Sequence, residues 1–327
     1  VAFILKRGGI YDTPEIAEAI NLYFGSVSRD LSIGNAGIVK FEGSTVEQLD
    51  KLIEELYIQK DVGYVLLLGD DLPLFTEDKN IRIDALSSLL PYVDRPAGER
   101  TCKDLAISWI LPPLYLYKEY KPDAVRELIE RYTSYHNDPA FHFKQYSYRV
   151  LELRNDQSIL QHDTAPERRF GYRFSADRVL NSDHNAVREA LKKRYLVLVL
   201  NVPGKDDTLA MGLNYYNFDA NSEKAMLTFT EEYARFVQEN DAGPMFVDSY
   251  TSNALTPAYM TKRYCCWPQV FIDVGAWAYY WIQTSSVKDR YRVEAEISRA
   301  KTIGKAFRST VYGQAVIFGD VLAHFPS

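Results

Sequence analysis

Cysteine, methionine and histidine are scarce in this chain, at three, four and five among 327 residues. The three thiols, Cys102 and the adjacent Cys265 and Cys266, are too few for a disulfide scaffold. No apolar run reaches the length of a membrane-spanning helix, and no basic-then-apolar signal is read at the start of the given sequence, where Val1 would fit a processed form or an excised fragment. The formal charge of −6 is spread along the chain, so no nucleic-acid or anionic-membrane surface is expected. Lys192-Lys193-Arg194 is the one compact basic run, and it falls at a helix end, where cations suit the dipole.

Several chemistries lack their residue patterns. None of His136, His142, His162, His184 and His324 forms an i, i+4 helical pair with a neighbouring acid, which argues against zinc. Gly8-Gly9 has neither the G-x-G-x-x-G nor the Walker spacing, so no nucleotide is expected. Ser249, Ser252 and Ser285 lack a G-x-S-x-G elbow, against a serine hydrolase. The acid pairs Asp70-Asp71 and Asp206-Asp207 read as solvated loop carboxylates, since calcium needs six or more oxygens from several loops. No cofactor and no metal are expected.

What is present is a large apolar and aromatic content: 46% hydrophobic residues, with 24 tyrosines, 16 phenylalanines and four tryptophans. Such side chains serve large cores and contact surfaces alike. Short apolar strands alternate with amphipathic helices. Val1 to Leu5 predicts a strand, and Thr13-Pro14-Glu15 caps a helix through Tyr23. Ile38 to Phe41 is a second strand, Ser44-Thr45-Val46-Glu47 a capping box opening a helix to Tyr57, and Gly63 to Asp70 a third strand. Ile107 to Leu111 and a helix from Pro122 continue the order, and Tyr135 to Asp177 reads as a polar, irregular bridge.

In the second half, Ser182-Asp183 caps a helix through Arg194, and another helix is expected near Glu223 to Glu239. A late helix covers Thr302 to Thr310, before Gln314 to Asp320. Two continuous apolar runs, Tyr195 to Asn201 and Pro268 to Trp277 with Val270 to Val274 at its centre, suit strands buried on both faces of a parallel sheet. The expected fold class is α/β, caspase-like or doubly wound, with mainly parallel sheets flanked by helices. Two subdomains are expected, 1–155 and 156–327.

In order and in motifs the chain resembles the gingipain-type cysteine peptidases, a family of caspase-like fold. Four stretches carry the likeness: Leu52 to Asp70 ending in Gly-Asp, Ile107 to Tyr135, Ser182 to Asp206, and Pro268 to Trp277 together with Ile303 to Phe325. The resemblance implies a histidine in a Gly-His-Gly-like turn after one strand and a cysteine ending a second. The matching positions hold Lys205, after Gly204 and before Asp206, and Ala276, after Asp273-Val274-Gly275 and before Trp277.

Alanine offers no nucleophile, and lysine at its ordinary pKa is a charged donor rather than a base. The resemblance therefore implies a pseudopeptidase with a binding, structural or assembly role. Its partner would be another protein or a second copy, with no nucleic acid. Trp277, Tyr279, Tyr280 and Trp281 would either fill the vacated cleft or anchor that partner. The alternatives are an active cysteine endopeptidase using Cys266, or an unrelated doubly wound protein binding a small ligand at its sheet edge. The family also implies an extracellular or cell-surface location, a cytoplasmic one not being excluded by the sequence.

Overall fold

The computed structural model describes residues 1–74, 105–111, 122–146, 148–154, 170, 174–180, 183–202, 204–205, 208–209, 236–237, 239–249, 258–260, 263–265, 267–283, 294–299, 302–310 and 314–325. The first half supplies the strands β1 (Ala2–Lys6), β2 (Gly37–Phe41), β3 (Tyr64–Leu68) and β4 (Ala106–Ile110). Between and after them lie the helices α1 (Pro14–Leu31), α2 (Val46–Lys60), α3 (Pro122–Asn137) and α4 (Pro139–Lys144).

The second half contributes β5 (Arg149–Arg154), β6 (Ser175–Leu180), helix α5 (His184–Leu191) and β7 (Tyr195–Asn201). Two short hairpins come next, β8 (Gly204–Lys205) with β9 (Thr208–Leu209), and β11 (Ala258–Met260) with β12 (Arg263–Cys265). Between those hairpins runs β10 (Pro244–Ser249), and the chain closes through α6 (Trp267–Asp273), β13 (Ala278–Gln283), α7 (Ile303–Thr310) and β14 (Gln314–Gly319).

Local chemistry explains the first helices. Thr13 Oγ1 accepts the Ile16 N–H at 3.3 Å and Pro14 opens α1. At α2 the capping box is shifted one residue from the expected register. Thr45 is the cap and Gln48, not Glu47, reaches back to the Thr45 N–H at 3.2 Å.

Ten strands form one sheet in the order β2-β1-β3-β4-β14-β13-β10-β7-β5-β6. Every neighbouring pair is parallel except β13 with β14. The strands β1 to β4 and β14 thus run one way, and β5, β6, β7, β10 and β13 the other. The carboxyl ends of the first-half strands therefore lie on the same sheet edge as the amino ends of β13, β10 and β7. Val65 to Leu68, Leu196 to Leu200 and Ala278 to Tyr280 are buried throughout, as expected for strands covered on both faces.

The fold class is as expected, but two expectations fail. Pro268 to Trp277 is not a strand: α6 occupies Trp267–Asp273, a turn comes at Val274-Gly275, and the strand begins only at Ala278. The run is apolar because Val270, Phe271 and Ile272 are all buried, and apolarity alone does not separate a buried helical turn from a buried strand. The polar bridge conceals β5 and β6; Glu152 and Arg154 of β5 are buried although polar, Glu152 against Arg178 of β6 at 3.3 Å. In the sheet β5 pairs with β6 and β7. The helix expected near Glu223 to Glu239 falls almost wholly outside the described residues. Among the described residues no helix is long and apolar enough to cross a membrane.

Gly319 ends β14 at φ +86°, and a Cβ there would lie 2.5 Å from the Trp277 carbonyl and 2.8 Å from Ile272 Cδ1. Gly319→Ala is expected to destabilise the chain by about 3 kcal/mol, through backbone strain and overpacking together, as a lowered urea midpoint. An unchanged midpoint would contradict this packing.

Candidate functional site

The expected catalytic positions do not meet. Lys205 comes after β7, as expected, in the β8–β9 hairpin where Lys205 pairs with Thr208. Ala276 precedes β13, and the Trp277 N–H donates to the Met245 carbonyl, near the start of β10, at 2.8 Å. Since β7, β10 and β13 are parallel, Lys205 and Ala276 lie on opposite edges of the sheet, about 20 Å apart for six strand residues. Gly204 goes with Lys205, whereas Asp273, Gly275 and Trp277 go with Ala276; Asp206 and Cys266 lie outside the described residues.

β7 lies between β5 and β10, both parallel to it, and β10 ends in the fully buried Asp248 and Ser249, with Ser249 level with Leu200. That strand is hard to read in the sequence because it is short, opens with proline and ends in polar residues.

The aromatics expected as contacts belong to the core. Trp277 is 4% exposed, and Tyr279 and Tyr280 are fully buried. Tyr279 packs on Phe271 and Phe318 at centroid distances of 5.7 and 6.4 Å, and Trp277 on Tyr135 at 4.7 Å. They fill the fold, and for these three the reading as partner anchors is corrected. Trp281 lies further along β13, level with Ser249 of β10.

On the edge that carries Ala276, the sequence pattern gave no sign of a charged cluster assembled from distant segments. His136, in the last turn of α3, has a fully buried side chain. Its Nδ1 is 2.6 Å from Asp30 Oδ2, near the end of α1, and its Nε2 is 2.9 Å from Asp320 Oδ2, just after β14. Asp320 Oδ1 accepts the Tyr23 hydroxyl at 2.7 Å and the Leu322 N–H at 2.9 Å. His324 Nε2 approaches the same Asp30 Oδ2 at 2.9 Å, and its Nδ1 faces the Phe325 carbonyl at 3.1 Å. Tyr135 donates to the His324 carbonyl at 2.5 Å.

Burial alone would lower the His136 pKa, but the charges and hydrogen bonds of Asp320 and Asp30 outweigh it and lift it to about 9. Asp30 is pushed up by burial and pulled down more strongly by its two histidines, to about 2. The Tyr23 hydroxyl is held well above its ordinary value by burial and by Asp320. A cationic ring with both nitrogens engaged cannot serve as a general base, and the end of α3 favours the positive charge through its dipole. Nothing local in the sequence linked Asp320 to Asp30 or His136.

The acid pair at the end of β3 is not solvated as expected. Tyr11 donates to Asp70 at 3.3 Å, and Gly9 lacks a Cβ where one would collide with Asp71 Oδ2. Burial first, and the Asp70 charge second, raise the Asp71 pKa to about 6. The pair Asp206-Asp207 lies outside the described residues.

No protein-family model matches the chain, and no curated protein matches it in sequence. Solved structures do match in shape. The complex of Porphyromonas gingivalis RgpB pro- and mature domains is similar at a TM-score of 0.60 and 11% identity, over 98% of this chain and 79% of that one. The Arg-specific cysteine proteinase gingipain R (RGPB) is similar at 0.59 and 11% identity, over 98% and 77%.

Two measurements test the charged groups. Asp320→Ala removes one carboxylate from a buried imidazolium and strands the Tyr23 hydroxyl and the Leu322 N–H. It is expected to cost about 3–5 kcal/mol in urea unfolding. Asp71 has a raised pKa, so the folded state binds more protons than the unfolded one between pH 4 and about 6, and its contribution to stability falls with rising pH across that window. Asp71→Asn should therefore raise the unfolding midpoint at pH 7 and leave it unchanged at pH 3; the reverse order would contradict the burial of that carboxyl.

Sheet order, strand direction and these structural matches together give the chain the caspase-like α/β fold of gingipain R.

Proposed function

We propose that this is a gingipain-like domain without cysteine-peptidase activity, which works by binding or assembling with another polypeptide. One observation carries the reading. A peptidase of this plan needs an imidazole after one strand and a thiol after its parallel neighbour. β7 and β10 are such a pair, the one in which the first strand is followed by the Gly204-Lys205 turn. The segment after β7 reads Val202-Pro203-Gly204-Lys205-Asp206-Asp207-Thr208-Leu209, without histidine. The segment after β10 reads Tyr250-Thr251-Ser252-Asn253-Ala254-Leu255-Thr256-Pro257, without cysteine. The second missing group thus moves from Ala276 to the segment after Ser249, and the absence of the pair stands on neighbouring strands.

A binding role draws on the complex of RgpB pro- and mature domains, in which a chain of this fold is joined to a polypeptide. The extracellular or cell-surface location implied by the family is part of the same proposal.

The test is incubation of the chain with an unbiased peptide library and with a thiol-reactive acyloxymethyl ketone. Neither cleavage nor labelling is expected at any pH between 5 and 9. Cleavage that disappears in Cys266→Ser, with the label on Cys266, would establish the active-peptidase alternative and remove this reading.

A further inference from the structure

We propose that Asp30, His136 and His324 form a binding site for one divalent transition-metal ion, zinc by its chemistry. This inference is independent of whether the domain cleaves peptides. The oxygen of Asp30 and one ring nitrogen from each histidine lie within 4.8 Å of one another. The three come from the end of α1, the end of α3 and the segment after β14, so no local spacing in the sequence announces them.

Hydrogen-bond accounting supports the ion. His136 Nε2 faces the Asp320 carboxylate at 2.9 Å, and His324 Nδ1 faces the Phe325 carbonyl at 3.1 Å. Both partners are acceptors only, so these outer nitrogens carry the ring protons. The inner nitrogens, His136 Nδ1 and His324 Nε2, both meet Asp30 Oδ2, at 2.6 and 2.9 Å, and an ion that displaced the protons in these contacts would take both nitrogens and the oxygen as ligands. Two ring nitrogens and a carboxylate oxygen meeting at one place form a donor set that a cation can take over.

Charge balance gives the same answer. Asp30 and Asp320 together carry two negative charges, and the Asp320 side chain is fully buried. A cation between the two rings, which lie 6.3 Å apart centroid to centroid, would answer them. One divalent ion supplies the same charge from a single point. Two imidazoles with one carboxylate suit zinc and its neighbours, not the oxygen-seeking magnesium or calcium.

The outer contacts match those of ligating histidines elsewhere, which donate the second ring N–H to a carboxylate or a backbone carbonyl. The site is also reachable. The Asp30 and His324 side chains are 11% and 15% exposed, leaving a side for the ion to enter and for water to complete its coordination. A bound ion would tie α1, α3 and the segment after β14 at one point, so its role would be to staple the fold.

The experiment uses the full chain, stripped with chelator and titrated with Zn²⁺ alone, monitored by calorimetry and by metal analysis after gel filtration. One equivalent per chain is expected, with a raised melting temperature. Asp30→Asn and His324→Gln should each weaken binding at least tenfold while circular dichroism stays unchanged. Independently of any variant, the Co²⁺-loaded chain should show two paramagnetically shifted, exchangeable proton resonances, the outer ring N–H groups of His136 and His324. Absence of saturable binding, undiminished binding in both folded variants, or Co²⁺ spectra without two histidine N–H signals would each overturn the site and leave the cluster held by protons.

Discussion

The antiparallel pairing of β13 with β14 is the constraint on which the rest of the arrangement depends. From Ala278 opposite Gly319 to Gln283 opposite Gln314, it reverses strand direction within one continuous sheet. β14 then continues parallel to β4 through Ile317 and Phe318. Because open α/β sheets place their chemistry beyond strand carboxyl ends, this single reversal gives the molecule two working edges facing opposite ways. One edge has the ends of β7 and β10. The other has the ends of β1 and β3 and, beside them, Asp320 at the end of β14.

That reversal also explains how a buried histidine comes to lie between two carboxylates. β14 delivers Asp320 to the edge where α1 and α3 finish, and the Asp320 N–H holds the Trp277 carbonyl at 2.9 Å. Burying four charged or chargeable groups is costly unless they are paired and hydrogen-bonded. Here His136 has both nitrogens engaged, and each oxygen of Asp320 has a partner. Such a cluster specifies one docking of the two halves, since displacement of any segment leaves an unpaired charge in the core. Aromatic packing runs along the same edge, with the Tyr135 ring against Trp277, His136 and His324.

Much of the sheet was legible where local and tertiary preferences agree. Strands such as Tyr64–Leu68 and Tyr195–Asn201 are apolar because both faces are covered, and a continuous apolar run is the direct imprint of that burial. Thr13-Pro14 marked the start of α1 because the capping hydrogen bond is local. Legibility ends where burial and polarity part company. β5 hides Glu152 and Arg154 and so resembles a polar connection, and α6 buries Val270, Phe271 and Ile272 and so resembles a strand. The strand-like pattern of α6 is what matched Ala276 with the end of a strand, whereas Ala276 precedes β13 on the edge opposite to Lys205.

By itself the sequence determined most of the alternation of strands and helices, the α/β class, and the lack of a histidine in the segment after β7. These depend on residue type and short-range order, which the chain carries wherever it folds. Only the tertiary structure decided which strands are neighbours, which edge each loop occupies, and that Asp30, His136, Asp320 and His324 meet. The physical reason is separation along the chain: Asp30 and His324 are 294 residues apart and share a hydrogen bond only because the sheet reverses between β13 and β14.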